Sequence, residues 1–308
     1  MLFQSPRFKL KKPVFFYYLM YKEGLTKVDV AKALPYRVSK LINKNLAIKK
    51  TDVILNHKMV LDENDSLNLA WNRIYDPFET KVMLSLVRPM DVIVDIGAHI
   101  GYYTLLFSKI TGKGGKVFAF EPGQSSFMIL KENVRINNYT DRVVTVNKAV
   151  SSEDNREINL YLNNTNPGMN RIFKSEKYGK ENDSIEKIGT ISLDCYFSSN
   201  PIEKIDLVKL DIEGSEYGAI KGMEQTLKNN KNIKIITEFH PTSIREFGVE
   251  PIEFLELLDS IGFDIWSLDK ITKSKKKIII NDKIRLDELI KNSDKYTTNL
   301  LCERQGFS

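Results

Sequence analysis

The chain is poor in the residues that staple or metallate a fold. Its 308 residues hold two cysteines, Cys195 and Cys302, far apart in sequence. That spacing gives no disulfide framework and fits a reducing cytosol. The three histidines, His57, His99 and His240, stand singly. Asp211, Glu213, Glu238 and His240 could converge on a metal, but no H-x-x-x-H and no close cysteine pair supplies ligand spacing, so none is expected. Long apolar runs are missing too. The longest aromatic-apolar stretch, Val14 to Tyr21, is far too short to span a bilayer, and no small-residue cleavage site follows it. No repeat or low-complexity tract occurs. The expectation is a cytoplasmic protein without a transmembrane segment. With 42% apolar and 28% charged residues, the chain has the composition of an ordinary globular protein. It is long enough for one large α/β domain plus an appendage.

Charge is unevenly spread. Residues 1–50 hold 12 Lys and Arg against 2 Asp and Glu, whereas residues 51–308 hold 34 against 38. The sequence pI of about 9.0 therefore belongs to the first 50 residues. These read as a basic, helical N-terminal extension with interleaved aromatics, and residues 51–308 as the main domain. Such an arm either packs its aromatics on the main domain or touches an anionic membrane or another polyanion. Within it, Leu25 to Ile42 has a faint helix-turn-helix rhythm around Pro35.

The most informative stretch is Asp91 to Pro122. A continuously apolar strand ends in the turn Asp95-Ile96-Gly97-Ala98-His99-Ile100-Gly101, and a helix begins near Tyr102. A second apolar strand, Val117 to Phe120, ends on Glu121. Strand, glycine turn, helix, strand and terminal carboxylate form a nucleoside-binding βαβ unit. The glycines allow close backbone approach, and the carboxylate is placed to hold ribose hydroxyls. A dinucleotide site wants G-x-G-x-x-G for its pyrophosphate. Here Asp95 heads the turn, and a carboxylate at its mouth suits a cation such as the α-ammonium of S-adenosylmethionine (SAM). D-x-G-x-x-x-G followed by an acidic strand end resembles the first two motifs of Rossmann-like SAM methyltransferases.

A second constellation is Asp206 to Glu216, DLVKLDIEGSE. Lys209 and Asp211 lie two apart on a strand and so share a face at its carboxyl end, where open α/β sheets bind ligands. They form either a structural ion pair or part of a site. Ser215 suits a helix N-cap, and Glu213 and Glu216 suit the helix dipole or a substrate-facing role. Glu238 and His240 share a face at the end of the next strand. His57 falls in a hairpin outside the core, and His99 shapes the cofactor turn. His240 is the best proton acceptor among the three, with a structural place beside Pro241 as the alternative.

The remaining segments read as follows. Val53 to Leu61 makes short strands broken at Asn56-His57, and helices cover Phe78 to Val87, Ser125 to Asn137 and Pro251 to Ile261. The segment Tyr75 to Thr80 is placed to fold over the cofactor. Arg142 to Val150 is the third strand, and Glu157 to Leu162 an antiparallel one. Residues 163–188 form a long surface loop of the kind that serves as a lid. Thr190 to Leu193 is a short strand, and the lysine run Lys275-Lys276-Lys277 a surface loop or hairpin.

Taken in order, these segments resemble the FkbM family of SAM-dependent methyltransferases. The matching residues are Asp95 through Thr104, Phe120-Glu121-Pro122, Asn133 to Asn137, Ala149-Val150, Leu193-Asp194, Lys209 through Glu216, and Glu238. They cover about residues 60–270, and His99 departs from the asparagine the family tends to carry. The resemblance implies a Rossmann-like α/β domain with a mostly parallel, seven-stranded sheet, whose last strand (Tyr296 to Arg304) inserts antiparallel beside the fifth. It implies SAM as cofactor, held by Asp95, Gly97, Ala98, His99, Gly101, Thr104, Glu121, Pro122 and Ala149. The methyl group would pass to a hydroxyl of a sugar, glycan or small molecule. Asp211 or His240 would take the proton, Lys209 would steer, and Glu213, Glu216 and Glu238 would line the substrate side. Two other readings stay open: a nucleic-acid methyltransferase using the basic arm, and a non-catalytic SAM-fold module. The first is not expected, because DIEG stands where amino-methylating enzymes carry an N/D-P-P-Y-like tetrapeptide.

Overall fold

A computed structural model of the chain describes residues 51–163, 166–175, 184–269, 274–294 and 297–306. The basic arm, with its aromatics and its helix-turn-helix rhythm, lies outside the described residues.

An eight-stranded sheet forms the centre of the domain. Its strands are β3 (Val92–Ile96), β4 (Lys116–Phe120), β5 (Val143–Val146), β9 (Leu207–Leu210), β10 (Lys234–Phe239), β11 (Phe263–Asp269), β12 (Ser274–Ile278) and β13 (Thr298–Arg304). The spatial order is β12-β11-β13-β10-β9-β3-β4-β5. The run from β10 to β5 is parallel, and β13 inserts antiparallel between β10 and β11, as expected. The sheet has one strand more than expected. The lysine run is not a loop; it forms the edge strand β12, hairpinned onto β11.

The parallel strands are apolar along their length because helices cover both faces. One core lies on each side. Phe120, Leu210, Phe239, Phe254 and Leu258 belong to one, and Ile93, Leu105, Phe107, Ala119 and Ile236 to the other. Between β3 and β9 the strand order reverses. The crevice at the carboxyl ends of these two strands is the switch point where ligands bind in open α/β sheets.

Element boundaries differ from the sequence reading in several places. Arg142 to Val150 is not one strand. Asn147 donates to the carbonyls of Glu121 and Pro122 (2.9 and 2.8 Å), which breaks the run and sends β6 (Ala149–Val150) into a small three-stranded sheet with β8 (Ile185–Ile191) and β7 (Glu157–Tyr161). The short strand expected over Thr190 to Leu193 is the end of β8. Ser192 caps the next helix by accepting from Cys195 N–H, so Leu193 is already helical. The helix after Ser215 is cut into Glu216–Lys221 and Glu224–Asn229. A side chain at the intervening Gly222 would collide with the Ser151 backbone, so chain proximity accounts for the glycine.

A hairpin of β1 (Thr51–Ile54) and β2 (His57–Val60) lies against the helix Gln124–Ile136. His57 belongs to the core rather than to an exposed hairpin. It is buried beside Tyr139, whose hydroxyl lies 3.1 Å from Nε2, and burial, aided by the Lys109 charge, lowers its pKa to about 4. Two asparagines one helical turn apart pin the hairpin down. Asn133 accepts from Val60 N–H (2.6 Å) and donates to the carbonyls of Val60 and Ile100 (3.0 and 2.7 Å). Asn137 does the same for Lys58 N–H and carbonyl (3.0 and 2.7 Å). Asn133 is wholly buried, so Asn133→Ala strands its three partners. At about 1 kcal/mol per bond plus desolvation, chemical denaturation should show a loss of about 2–4 kcal/mol. Asn137→Ala, at a more exposed place, should cost less than half of that.

Candidate active site

The site is built where the turn after β3 meets the end of β9. Gly97 has φ +75°, and a Cβ there would lie 1.9 Å from the Asp211 carbonyl. Only glycine permits this crossing. Gly101 (φ +91°) is closed in similarly by the Leu130 side chain.

Lys209 is buried beneath the crossing. Its ammonium lies 3.3 Å from Asp211 Oδ2 and 3.5 Å from Asp95 Oδ1, and it donates to the Gly97 carbonyl at 3.1 Å. Burial alone would lower its pKa, but Asp211 and Asp95 outweigh that and raise it, so the lysine stays charged. Asp95 is not at the mouth of the turn, as its sequence position suggested. It is fully buried, and its other oxygen accepts from the Thr104 hydroxyl at 2.6 Å. A carboxylate in an apolar strand needs partners, and Lys209 and Thr104 supply them. Thr104 and Gly101 likewise shape the turn from behind and do not line a cavity.

Two adjoining cavities open at the crossing. The narrower, about 60 Å³, is walled by Gly97, His99, Glu121, Pro122, Ala149 and Val150. The Glu121 carboxylate accepts from the backbone N–H groups of His99 and Gly123, each at 2.9 Å, which fixes both the turn and the acid. Burial raises its pKa to about 7. The larger cavity, about 300 Å³, is lined by Tyr75, Tyr102 and Tyr103 together with Ala98, His99, Lys209, Asp211, Glu213, Glu238 and His240. His99 stands between the two. Both its ring nitrogens are sealed from solvent without a hydrogen-bond partner among the described residues, and burial lowers its pKa to about 4, leaving it neutral.

The segment Asn166–Ser175 straps across both cavities. Pro167, Gly168 and Asn170 face the narrow one, and Met169 and Arg171 the other. Its backbone pairs with Tyr161, and the buried Arg171 binds Glu213 Oε2 at 2.9 Å. Ser175 donates to Glu246 at 2.7 Å. This is the part of the expected lid loop (163–188) that is irregular; residues 185–188 are instead the start of strand β8, and residues 164, 165 and 176–183 lie outside the described residues.

The carboxylates of Asp211, Glu213 and Glu238 converge, each offering an oxygen within 4.8 Å of the others, a grouping able to hold a metal ion. His240 does not join them. Its Nδ1 accepts from Ser243 N–H (3.1 Å) and caps the helix Pro241–Glu246. Glu216 is not on the cavity wall either. It is buried, and Oε1 accepts from Ile212 and Gly214 N–H (3.0 and 3.2 Å), holding the D-I-E-G loop open. Ser215 stands at the N-cap position but donates to the Ile212 carbonyl instead of capping. Two residues escaped the sequence reading. Glu79, buried, accepts from Tyr103 OH (3.0 Å) and Asn299 (2.9 Å) and backs the larger cavity. Arg171 comes from a segment without periodicity, so no sequence signal marks it. Glu79 sits in the Tyr75 to Thr80 segment, whose position just before the nucleoside unit was the available hint.

The cradle fits a SAM donor on this chain's own geometry: a turn that excludes Cβ atoms, a fixed carboxylate across from it, an imidazole with unsatisfied nitrogens, and an acidic surround for a cationic group. Fold and site together define a Rossmann-like SAM-dependent methyltransferase. Residues 95–265 match the methyltransferase FkbM domain, and the chain belongs to the FkbM methyltransferase family. It is 25% identical over 198 residues to methyltransferase sdnD of Sordaria araneosa, covering 56% of this chain and 73% of that protein. It is 28% identical to the hexuronic acid methyltransferase AglP of Haloferax volcanii, covering 58% and 65%. It is 30% identical to the 31-O-demethyl-FK506 methyltransferase FkbM of Streptomyces tacrolimicus, covering 45% and 61%. The match thus spans under two thirds of the last two proteins. The SAM-dependent O-methyltransferase of Thermotoga maritima superposes with a TM-score of 0.43 at 12% identity, covering 80% of this chain and 72% of its own. That likeness is too loose to argue from.

Glu216 yields a prediction on pH. Burial raises its folded pKa to about 7 from an ordinary value near 4.5. A raised carboxylate stabilises the fold fully below its unfolded pKa, and that stability is lost as pH climbs from about 4.5 through 7. The loss is on the order of 3 kcal/mol. Glu216→Gln keeps an oxygen for the two N–H groups but cannot ionise. Thermal melts should find the variant close to wild type at pH 5 and more stable than wild type at pH 8.

Proposed function

We propose that this enzyme methylates a hydroxyl oxygen of a sugar or another polyhydroxylated small molecule, with SAM as donor. The observation that carries the reading is the juxtaposition across Gly97. A nucleoside cradle with Glu121 lies on one side, and a tyrosine-walled cavity with three converging carboxylates lies on the other. SAM, when bound, supplies an electrophilic methyl group on a positively charged sulfur.

The chain's residues divide the remaining work. Glu121 accepts from ribose hydroxyls, using lone pairs left over from its two backbone contacts. Gly97, Ala98 and His99 let the backbone approach the methionine portion, and Pro122, Ala149 and Val150 offer apolar walls to the base. Asp95 and Thr104 hold the turn through Lys209. The tyrosines and carboxylates suit an acceptor with an apolar ring face and several hydroxyls, since aromatic faces pack on C–H surfaces while carboxylates accept from O–H groups. Orientation of acceptor and donor can lower the barrier by about 7–11 kcal/mol. The relative named for a hexuronic acid supports the sugar reading.

Incubation with methyl-labelled SAM and a panel of methyl hexosides, methyl hexuronides and sugar nucleotides tests it. Label should appear in an ether of a polyhydroxylated acceptor, and label only in RNA or DNA would overturn the reading. Glu121→Ala should weaken SAM binding tenfold or more, because hydrogen bonds to a charged group contribute roughly 1.5–3 kcal/mol each. Calorimetry giving an unchanged SAM affinity in a folded variant would remove Glu121 from the ribose site.

A further inference from the structure

Resting on the methyl-transfer reading above, we propose that Glu238 is the group that takes the proton from the acceptor hydroxyl. Three carboxylates meet in the larger cavity, and two of them are already committed. Asp211 is paired with Lys209 at 3.3 Å, and Glu213 with Arg171 at 2.9 Å. Each of these two therefore already has a cation partner that fixes it in place. Glu238 lines the same cavity, within 4.8 Å of both, and among the described residues no hydrogen bond or ion pair reaches its carboxylate.

Its surroundings add to this. The groups facing it are acidic: Glu213, Asp211 and Glu216 from the end of β9 and the loop after it, and Glu79 from the helix Pro77–Leu86. Lys209 and Arg171 are nearby but engaged with Asp211 and Glu213. Across the ladder Glu238 pairs with Asn299, whose side-chain amide is directed to Glu79. Burial first, and then these carboxylates, raise the Glu238 pKa well above its usual value. A carboxylate disfavoured as the anion binds a proton more strongly once it has lost its own. His240, the other candidate, spends Nδ1 on a helix cap.

The balance is simple. The acceptor O–H bond breaks with its proton going to Glu238, the O–CH₃ bond forms, and the S–CH₃ bond of the donor breaks with the electron pair staying on sulfur. Glu238 ends neutral and returns its proton to water. Before that, arrival of a cationic donor in this acidic surround should drive the proton off Glu238 and leave it ready.

That last point gives a readout that needs no acceptor. SAM binding is measured by calorimetry at pH 7 in two buffers of different ionisation heat. Wild type should release at least half a proton more than Glu238→Gln, with SAM affinity in the variant within about threefold. With whichever methyl glycoside accepts label, Glu238→Gln should lower kcat by about 10²–10⁴ and lose the acid limb of the pH–rate profile. Glu238→Asp, which keeps a carboxylate, should turn over well above the glutamine variant and decides the matter if that one fails to fold. Equal proton release in wild type and Glu238→Gln, or an unchanged kcat, overturns the assignment while leaving methyl transfer standing. Activity that requires added Mg²⁺ or Mn²⁺, and a Glu238→Gln variant that loses its response to the ion, also overturns it by making the trio a metal site. Wild type that does not bind SAM at millimolar concentration fails the methyl-transfer reading itself.

Discussion

The buried ammonium of Lys209 is the tie on which the site depends. It joins the turn after β3, through Asp95 and the Gly97 carbonyl, to the end of β9, through Asp211. An ion taken out of water costs several kcal/mol, which only close partners offset. Lys209 has two carboxylates and a carbonyl, and each of these in turn needs the lysine. Removing it would leave Asp95 inside the sheet with one hydroxyl for company. The same tie brings the Gly97 turn so near the Asp211 backbone that a methyl group at 97 has no room. Charge burial and glycine are two sides of one close crossing, and both cavities open from it.

Much of this was legible in the sequence because it is local. The glycine turn, the apolar strands and the acid after the second strand lie within about thirty residues, and strand periodicity put Lys209 and Asp211 on one face without any tertiary knowledge. The insertion of the last strand followed from the family resemblance, not from its residues. What escaped depends on contacts between distant segments. Glu79 touches Tyr103 and Asn299, and no local pattern links those three. Arg171 comes from an irregular loop and finds Glu213 42 positions away. Asp95 was placed at the mouth because it heads the motif, but a strand residue pointing into a sheet–helix layer is buried. His240 resembled a base by its strand-end position, and only its contact with Ser243 shows the cap. Asn147 ended a strand early through side-chain bonds that periodicity cannot register.

The site is strongly acidic for its size. Glu79, Asp95, Glu121, Asp211, Glu213, Glu216 and Glu238 surround it, with Lys209 and Arg171 seated among them and Lys148 on the wall of the narrower cavity. Several of these acids are lifted toward neutral pH by burial, so they hold protons that a bound cation would displace. In the methyl transfer proposed above, such a surround would favour a positively charged donor over a product that has lost that charge at sulfur. Turnover and product release would then draw on the same electrostatic difference. The strap bearing Arg171 is part of that balance, because its anchor is one of the acids concerned.

The outermost strand bears on how this domain behaves among its own copies. β12 is the outermost strand of the sheet among the described residues, and the row of N–H and C=O groups along such an edge can recruit another strand. Lys275, Lys276 and Lys277 sit in the middle of that row, all exposed, with Lys275 and Lys277 drawn over the Trp266 ring. Two such edges brought together would set these lysines opposite one another across a spacing of about 5 Å, with Lys275 and Lys277 partly neutralised by Glu303 and Asp264. The run that reads in sequence as a surface loop or hairpin therefore puts charge along the outermost strand among the described residues, where it opposes edge-to-edge pairing.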